Sequence, residues 1–352
     1  MADPLIEALA ALGSGRDLAA DEARRAVAAI MDGAAGDVAI AAFLTALRVR
    51  GETADALDGA VAAVRERMTP LEPGPDTPPL LDTCGTGGDG AQTVNVSTAT
   101  AIVVAACGVP VAKHGNRSAS GNSGSAEVLA ELGVAVEAEP AVLRRCLAEL
   151  GIAFLFAPRF HPALRLAATA RKQLPFRTLF NLVGPLANPA RPSYQLVGVA
   201  GERPAALVAE VLARSQVRRA AVVAGHDGLD EVTLAGPTRV LWVEAGRVEA
   251  RSWTPADFGL PVVVASMLRV AGPAHSADLI RRLLAAEPGP VRDVVLANAA
   301  AALLVAGRVA TLSEGVARAA AAIDSGAAGR IMERWRALSR GGEPPPDGGS
   351  TP

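Results

Sequence analysis

Apolar positions in residues 3–68 recur at helical spacing, filling 20–31, 37–48 and 54–65, and predict an all-helical start. Gly33 and Gly51 stand where C-terminal caps belong, and Thr53 where an N-cap precedes Ala54. Pro70, Pro73, Pro75, Pro78 and Pro79 then interrupt the periodicity and read as a stiff linker. Beyond them, short apolar runs alternate with amphipathic stretches. Strands are predicted at 80–82, 109–112, 152–156, 195–199 and 220–224, with helices at 96–107, 123–132, 161–174 and 203–215. That alternation predicts an α/β fold with a largely parallel sheet. A hairpin is expected over 239–253 around Ala245-Gly246, followed by helices at 276–286, 291–306 and 312–338. The tail from Gly341, with three consecutive prolines, is expected to be disordered. No internal repeat interrupts this order.

The 352 residues suit one large domain or two unequal ones, at roughly 150 residues per domain. Half the chain is apolar but only 3% is aromatic, so the core must be built from Ala, Val and Leu. A net charge of −2 and so few aromatics argue against nucleic acid as a partner. Cys84, Cys107 and Cys146 show no metal or redox spacing and predict a reduced, cytoplasmic protein. The N-terminus lacks the pattern of a cleavable leader. The longest apolar runs, 99–112 and 294–307, fall short of the roughly 18 residues a membrane span needs. Lysine and asparagine are scarce. Lys113 and Lys172 are the two lysines, and five of the six asparagines lie, with both lysines, between 95 and 188.

Four constellations carry candidate chemistry. The first is Asp82-Thr83-Cys84-Gly85-Thr86-Gly87-Gly88-Asp89-Gly90, between a strand and a helix. Glycine-freed N–H groups near a helix start make a phosphate cradle. Its Gly85-x-Gly87-x-x-Gly90 spacing matches a dinucleotide fingerprint, but the next strand ends in Lys113-His114 instead of an acidic residue, which argues against that reading. Thr93, Asn95, Ser97 and Thr98 follow, supplying one N-cap and spare donors for phosphate, and a serine hydroxyl can ligate Mg²⁺. The second is Lys113 to Ser125, rich in cations and hydroxyls, which a parallel sheet would set beside the first loop at its carboxyl edge. Together they suggest a polyphosphate ligand. The third, Gly225 to Glu231, ends in the adjacent carboxylates Asp230 and Glu231, either an acidic turn or part of a Mg²⁺ site. The fourth runs from Arg171 to Pro189. Arg171, near a helix C-terminus, either complements the helix dipole or binds a carboxylate substrate. His161 and His226 read as structural or exposed.

These motifs resemble the anthranilate phosphoribosyltransferase family: GTGGD at 85–89, NVST at 95–98, KHGNRS at 113–118, RTLFNLVGPLANP at 177–189 and GLDE at 228–231. The segment Leu47 to Thr53 is similar too, and the resemblance spans about residues 5–340. It implies a small N-terminal all-helical domain plus a large α/β domain with a central, mostly parallel sheet. The helical domain would be 1–75, joined by helices from about 161–188. The α/β domain would be 79–160 and 189–340, with a tail at 341–352. It implies a homodimer and the transfer of a phosphoribosyl group from phosphoribosyl diphosphate to anthranilate, in tryptophan biosynthesis. By position it implies diphosphate-substrate binding by Gly85, Gly88, Asp89, Thr93, Asn95, Val96, Ser97, Thr98 and Lys113. His114, Gly115, Asn116, Arg117, Ser118, Ala119, Ser120, Gly121 and Ser125 complete that set, with His114 also lining the acceptor's path. Gly85, Asn116 and Arg171 would bind anthranilate, and Ser97, Asp230 and Glu231 would hold Mg²⁺, at two ions per monomer. No residue is assigned acid–base catalysis; Lys113, Asn116 and Arg171 would position the reactants. Pro175-Phe176, Ala187 and Gly121-Asn122 depart from the family's usual pattern. A pyrimidine nucleoside phosphorylase, or a non-catalytic nucleic-acid-binding member of the fold, is the alternative. KHGNRS and GLDE argue against the first, and the net charge of −2 with the intact motifs against the second.

Overall fold

The computed structural model describes residues 3–118 and 123–345. The first 68 residues form α1 (Pro4–Gly13), α2 (Ala20–Met31), α3 (Asp37–Arg50) and α4 (Ala54–Arg67). Gly33 and Gly51 take positive φ just past α2 and α3, and the Thr53 hydroxyl accepts from the Ala56 N–H at 3.2 Å. Helices α2 and α4 approach so closely that a Cβ on Gly59 would lie 2.1 Å from the Ala20 carbonyl oxygen.

After the proline-rich segment come β1 (Leu81–Gly85), α5 (Val96–Ala106), β2 (Val111–Gly115), α6 (Ser125–Glu131), α7 (Pro140–Leu150) and β3 (Ile152–Phe156). The chain continues through α8 (Ala157–Phe160), a 3₁₀ turn (Pro162–Ala167), α9 (Ala168–Gln173), α10 (Phe180–Leu186), β4 (Tyr194–Gly198), α11 (Glu202–Arg214) and β5 (Arg219–Gly225). The hairpin is β6 (Thr238–Glu244) and β7 (Arg247–Trp253), turning at Ala245-Gly246 with both residues at positive φ. Then follow α12 (Pro255–Phe258), α13 (Pro273–Leu284), α14 (Pro290–Val305), α15 (Leu312–Asp324) and α16 (Ala327–Ser339).

The strands form one seven-stranded sheet in the order β3-β2-β1-β4-β5-β6-β7. Strands β1 to β5 pair in parallel, while β6 and β7 are antiparallel at one edge. The order reverses direction between β1 and β4. Ligands of open parallel sheets bind at such a switch point, beyond the carboxyl ends of the strands.

Alternation along the strands divides the core. Ala221 and Val223 of β5 face a layer containing Ile102, Leu147, Ala299 and Trp335. Ala220 and Val222 face the other side, with Val27, Phe43, Ala60, Leu182 and Val208. The N-terminal helices therefore share an apolar core with one sheet face and with Ala167, Ala170, Leu179 and Leu186.

Four expectations need correction. The helix expected at 161–174 is a 3₁₀ turn followed by α9: His161 is non-helical at ψ 57° ahead of Pro162, and the chain passes from the tighter turn into α9 at Ala167. The stretch 312–338 is two helices, divided where Gly326 takes left-handed φ +73°. The apolar repeat resumes beyond the break, which hides it from a periodicity reading. Helix α7 was not anticipated, although Pro140 starts it and the left-handed Gly151 ends it. Strand β2 runs on through Lys113 and His114 to Gly115, further than 109–112. Of the tail expected to be disordered, 346–352 lies outside the described residues.

Candidate active site

The glycine-rich loop, the basic segment and the acidic turn follow β1, β2 and β5, so the parallel sheet brings them to one edge. Glycines at strand ends make the approach possible. A Cβ on Gly198 would sit 1.5 Å from the Asp230 carbonyl oxygen, and one on Gly85 would sit 2.7 Å from Asp230 Oδ2. Asp230 Oδ2 accepts from the Gly87 N–H at 2.7 Å, and Glu231 Oε1 accepts from the Ser97 N–H at 3.2 Å. Asn298 of α14 clamps the next residue. Its Oδ1 accepts from the Val232 N–H at 3.0 Å, and its Nδ2 donates to the Val232 carbonyl at 2.9 Å.

Lys113 is 1% exposed, and its ammonium reaches between β1 and the first turn of α5. Nζ donates to the Thr83 carbonyl at 2.5 Å and to Ser97 Oγ at 3.1 Å. Burial lowers its pKa, opposed by the charges of Asp82, Glu231 and Asp230. Asp82 is fully buried beside it. Burial pushes that carboxyl up to about 6, opposed by Lys113 and by a 2.8 Å bond from Asn188 Nδ2. Burial and then the Asp89 charge raise Asp230; burial and then the Asp230 charge raise Glu231.

The oxygens of Ser97, Asp230 and Glu231 suit Mg²⁺. Crowded carboxylates are held in a part-buried site where a divalent cation would relieve their repulsion. Among the described residues, no group of three or more His, Cys, Asp and Glu is disposed to hold an ion. The protein's oxygens would therefore form an incomplete shell, as is usual where phosphates and water complete it.

The remaining candidates are placed as follows. Asn95 commits its amide within the protein: Oδ1 accepts from Ser123 Oγ at 2.7 Å and Ser276 Oγ at 2.9 Å, while Nδ2 donates to the Ser123 carbonyl. Val96 and Thr98 are buried in the first turn of α5, and Thr93 pairs with Arg269 in an isolated bridge. Asp89 Oδ1 accepts from the Ala91 N–H at 3.0 Å. Gly115 packs against Phe154, and Asn116 is exposed, its Oδ1 accepting from the Arg117 N–H. Arg117 pairs with Glu137 at 3.2 Å and lies over Phe156. The Ser118 N–H donates to Glu127, and Ser125 opens α6. Ala119, Ser120, Gly121 and Asn122 lie outside the described residues.

On the other side of the edge, His114 and His161 are buried with ring centroids 5.1 Å apart. His114 Nδ1 is 3.1 Å from the Gly184 carbonyl. Burial drives His114 down to about 3 and His161 to about 4. Arg171 is half-buried over the Phe180 ring at 5.4 Å and makes no ion pair among the described residues. Gly198, Asn298 and Arg177 were missed as site residues. The glycine ending β4 was the one local signal; Asn298 and Arg177 act across long sequence separations.

The glycosyl transferase family matches this chain twice: its helical bundle domain over residues 6–68 and its a/b domain over residues 77–329. An anthranilate phosphoribosyltransferase from Thermomicrobium roseum is 50% identical over 329 residues, covering 93% of this chain and 94% of that one. The chain belongs to the anthranilate phosphoribosyltransferase family. Another anthranilate phosphoribosyltransferase, from Rhodospirillum rubrum, is 49% identical over 94% of each chain. The crystal structure of the Thermus thermophilus anthranilate phosphoribosyltransferase superposes with TM-score 0.88 at 41% identity, covering 96% of this chain and 100% of that one. An anthranilate phosphoribosyltransferase from Saccharomyces cerevisiae, solved in complex with PRPP and Mg, also gives 0.88 at 27% identity, covering 96% and 98%. This chain is thus a phosphoribosyltransferase with the expected two-part fold.

Proposed function

We propose that the three loops at the sheet edge bind phosphoribosyl diphosphate (PRPP), and that Arg171 orients anthranilate against it. The enzyme transfers the 5-phosphoribosyl group to the anthranilate amine, giving N-(5-phosphoribosyl)anthranilate and diphosphate, in tryptophan biosynthesis. The observation that carries the acceptor assignment is Arg171: a half-buried guanidinium, six residues before the loop-contacting Arg177, with no carboxylate paired to it among the described residues. A desolvated cation of that kind favours an anionic ligand, and its fork matches a carboxylate.

Cleavage at C1 of the ribose builds positive charge on the sugar and negative charge on the departing diphosphate. The glycine-rich loop offers backbone N–H groups to that negative charge, and Lys113 supplies a buried cation beneath it. Ser97, Asp230 and Glu231 would hold Mg²⁺, two ions per monomer, which when bound supplies charge stabilisation to the leaving group. The relative solved with PRPP and Mg supports the use of Mg²⁺ with that substrate. Gly85 and Asn116 would border the amine, with His114, kept neutral by burial, along its path. An aromatic amine is uncharged at neutral pH, so the chain need only position it, without a strong base.

The proposed division sets residues 1–75 with 161–188 as the helical part and 79–160 with 189–340 as the α/β part. Ile6, Val38 and Val49 stand exposed on α1 and α3, the last two above 80%, and support a homodimer through these helices. Cys84, Cys107 and Cys146 are free and buried, which supports a reducing cytoplasm, and no described helix is long and apolar enough to cross a membrane.

The test follows anthranilate fluorescence with PRPP and Mg²⁺. Wild-type protein should give a Mg²⁺-dependent decrease. Arg171→Ala should raise KM for anthranilate by about 10-fold or more and leave KM for PRPP within about 3-fold. Equal effects on both substrates would remove Arg171 from the acceptor site.

A further inference from the structure

Six residues after Arg171 stands a second half-buried arginine, Arg177. Its Nη2 donates to the Thr86 carbonyl at 2.5 Å, across 91 residues of sequence. Its guanidinium lies directly on Gly88: a Cβ there would sit 1.4 Å from Nη1 and 2.6 Å from Cζ. Gly88 also takes φ +78°, so glycine is required twice over, by the backbone and by the arginine resting on it. The guanidinium feels the charges of Asp230 and Asp89 but closes no ion pair with either among the described residues. Its position is thus set by a backbone carbonyl and by the glycine gap.

The segment between the two arginines is short. Arg171 lies in the last turn of α9, and the Thr178 N–H, just ahead of α10, donates to Asn181 Oδ1 at 2.9 Å. Arg177 is therefore tied at both ends, to the acceptor segment through the chain and to the diphosphate loop through its side chain. Any shift of the Thr86–Gly88 backbone must move Arg177 or break its bond. No other side chain among the described residues bonds the segment 171–177 to this loop.

We propose that Arg177 is a positioning residue that couples the two substrate sites, so that occupation of the glycine-rich loop by diphosphate strengthens anthranilate binding at Arg171. The proposal rests on the assignment of those two sites made above. By linkage the effect is reciprocal. An arginine suits the task because its planar fork can hold a carbonyl while its other donors face the loop.

Equilibrium binding tests this without turnover, using anthranilate fluorescence with and without Mg²⁺ plus inorganic diphosphate. In wild-type protein the pair should tighten anthranilate binding about 5-fold or more, a coupling of ordinary size. In Arg177→Met that factor should fall towards one while anthranilate binding to the free protein stays within about 3-fold. Arg177→Lys, which keeps the charge and one donor nitrogen but not the planar fork, should restore part of it. Hydrogen exchange supplies a readout independent of ligands: Gly87, Gly88 and Gly90 amides should exchange faster in Arg177→Met, while β4 amides stay unchanged. Unaltered coupling in Arg177→Met, or no coupling in wild type, would overturn the proposal. Failure of the site assignment reads differently: anthranilate binding would then be indifferent to Arg171→Ala.

Discussion

Asn298 shows how one buried side chain can govern a site it never touches. It is fully buried, and its amide meets three backbone groups: the Val232 N–H, the Val232 carbonyl and the Val294 carbonyl of its own helix. Val232 directly follows Asp230 and Glu231, so the clamp fixes where the acidic pair leaves the turn. Asn298→Ala strands two buried backbone groups of Val232, each costly to leave unmade. The expected loss is about 2–4 kcal/mol in urea unfolding, with a rise in the Mg²⁺ concentration needed for half-maximal activity. A stability loss under about 0.5 kcal/mol would show the clamp to be idle. Asn188 works alike, donating to Asp82 and to the Ala112 carbonyl at 2.8 Å each, and so joins β1 to β2. The asparagines retained in an asparagine-poor chain thus serve packing as well as chemistry, a role their scarcity alone did not separate.

Where two elements meet, the sign of a substitution can reverse. Alanine is ordinarily better than glycine inside a helix by about 1 kcal/mol. At Gly59 of α4 the added methyl would lie 2.1 Å from the Ala20 carbonyl oxygen and 2.8 Å from the Arg24 nitrogen, both backbone atoms of the α2 region. Gly59→Ala should therefore destabilise by about 1–3 kcal/mol as the helices are forced apart. Gly329→Ala in α16, whose nearest neighbour is 3.4 Å away, should be neutral or stabilising. The two urea midpoints should move oppositely or differ by at least that cost; equal shifts would refute the close packing. Elements with local signatures were readable from sequence. Helices α2 to α4 announced themselves by caps and period, and β6–β7 by its turn. The end of β2 was not readable, because Lys113 looks like loop in any one-dimensional pattern. It belongs to a central strand only because Thr83, Ser97 and Asp82 surround it in space. The site divides in the same way. Its motifs are contiguous and legible, whereas Gly198, Asn298 and Arg177 act on residues 32, 66 and 91 positions away and leave little local trace.

Buried titratable groups around β1 and β2 give the whole molecule a pH response with opposing parts. His161 and His114 are held near 4 and near 3 by burial, below the usual 6.5. As pH falls below about 6.5, the unfolded chain takes up protons that the folded protein excludes, so these histidines cost stability down to about pH 4 and below. Asp82 acts in the other direction. Raised by burial to about 6 from an ordinary 3.8, it holds a proton in the folded state that the unfolded chain releases, so acidification through that window adds stability. Asp230, also raised by burial to about 6, and Glu231, raised by burial and by the Asp230 charge, act with Asp82, so the carboxyls oppose the histidines over the same window. Removing His161 exposes its share, because the carboxyl contributions are common to both proteins and burial, the larger cause, keeps His114 low without its neighbour. His161→Leu is a fitting change, since burial dominates the shift of His161 and the Ala187 backbone opposes it only in part. Between about pH 7 and about pH 5, wild-type protein should lose about 2 kcal/mol more unfolding free energy than His161→Leu, the cost of the 1.5 or so units by which pH 5 lies below the unfolded histidine pKa. Urea unfolding at the two pH values measures both losses, and equal losses would mean that His161 takes up its proton in the folded protein as readily as in the unfolded chain.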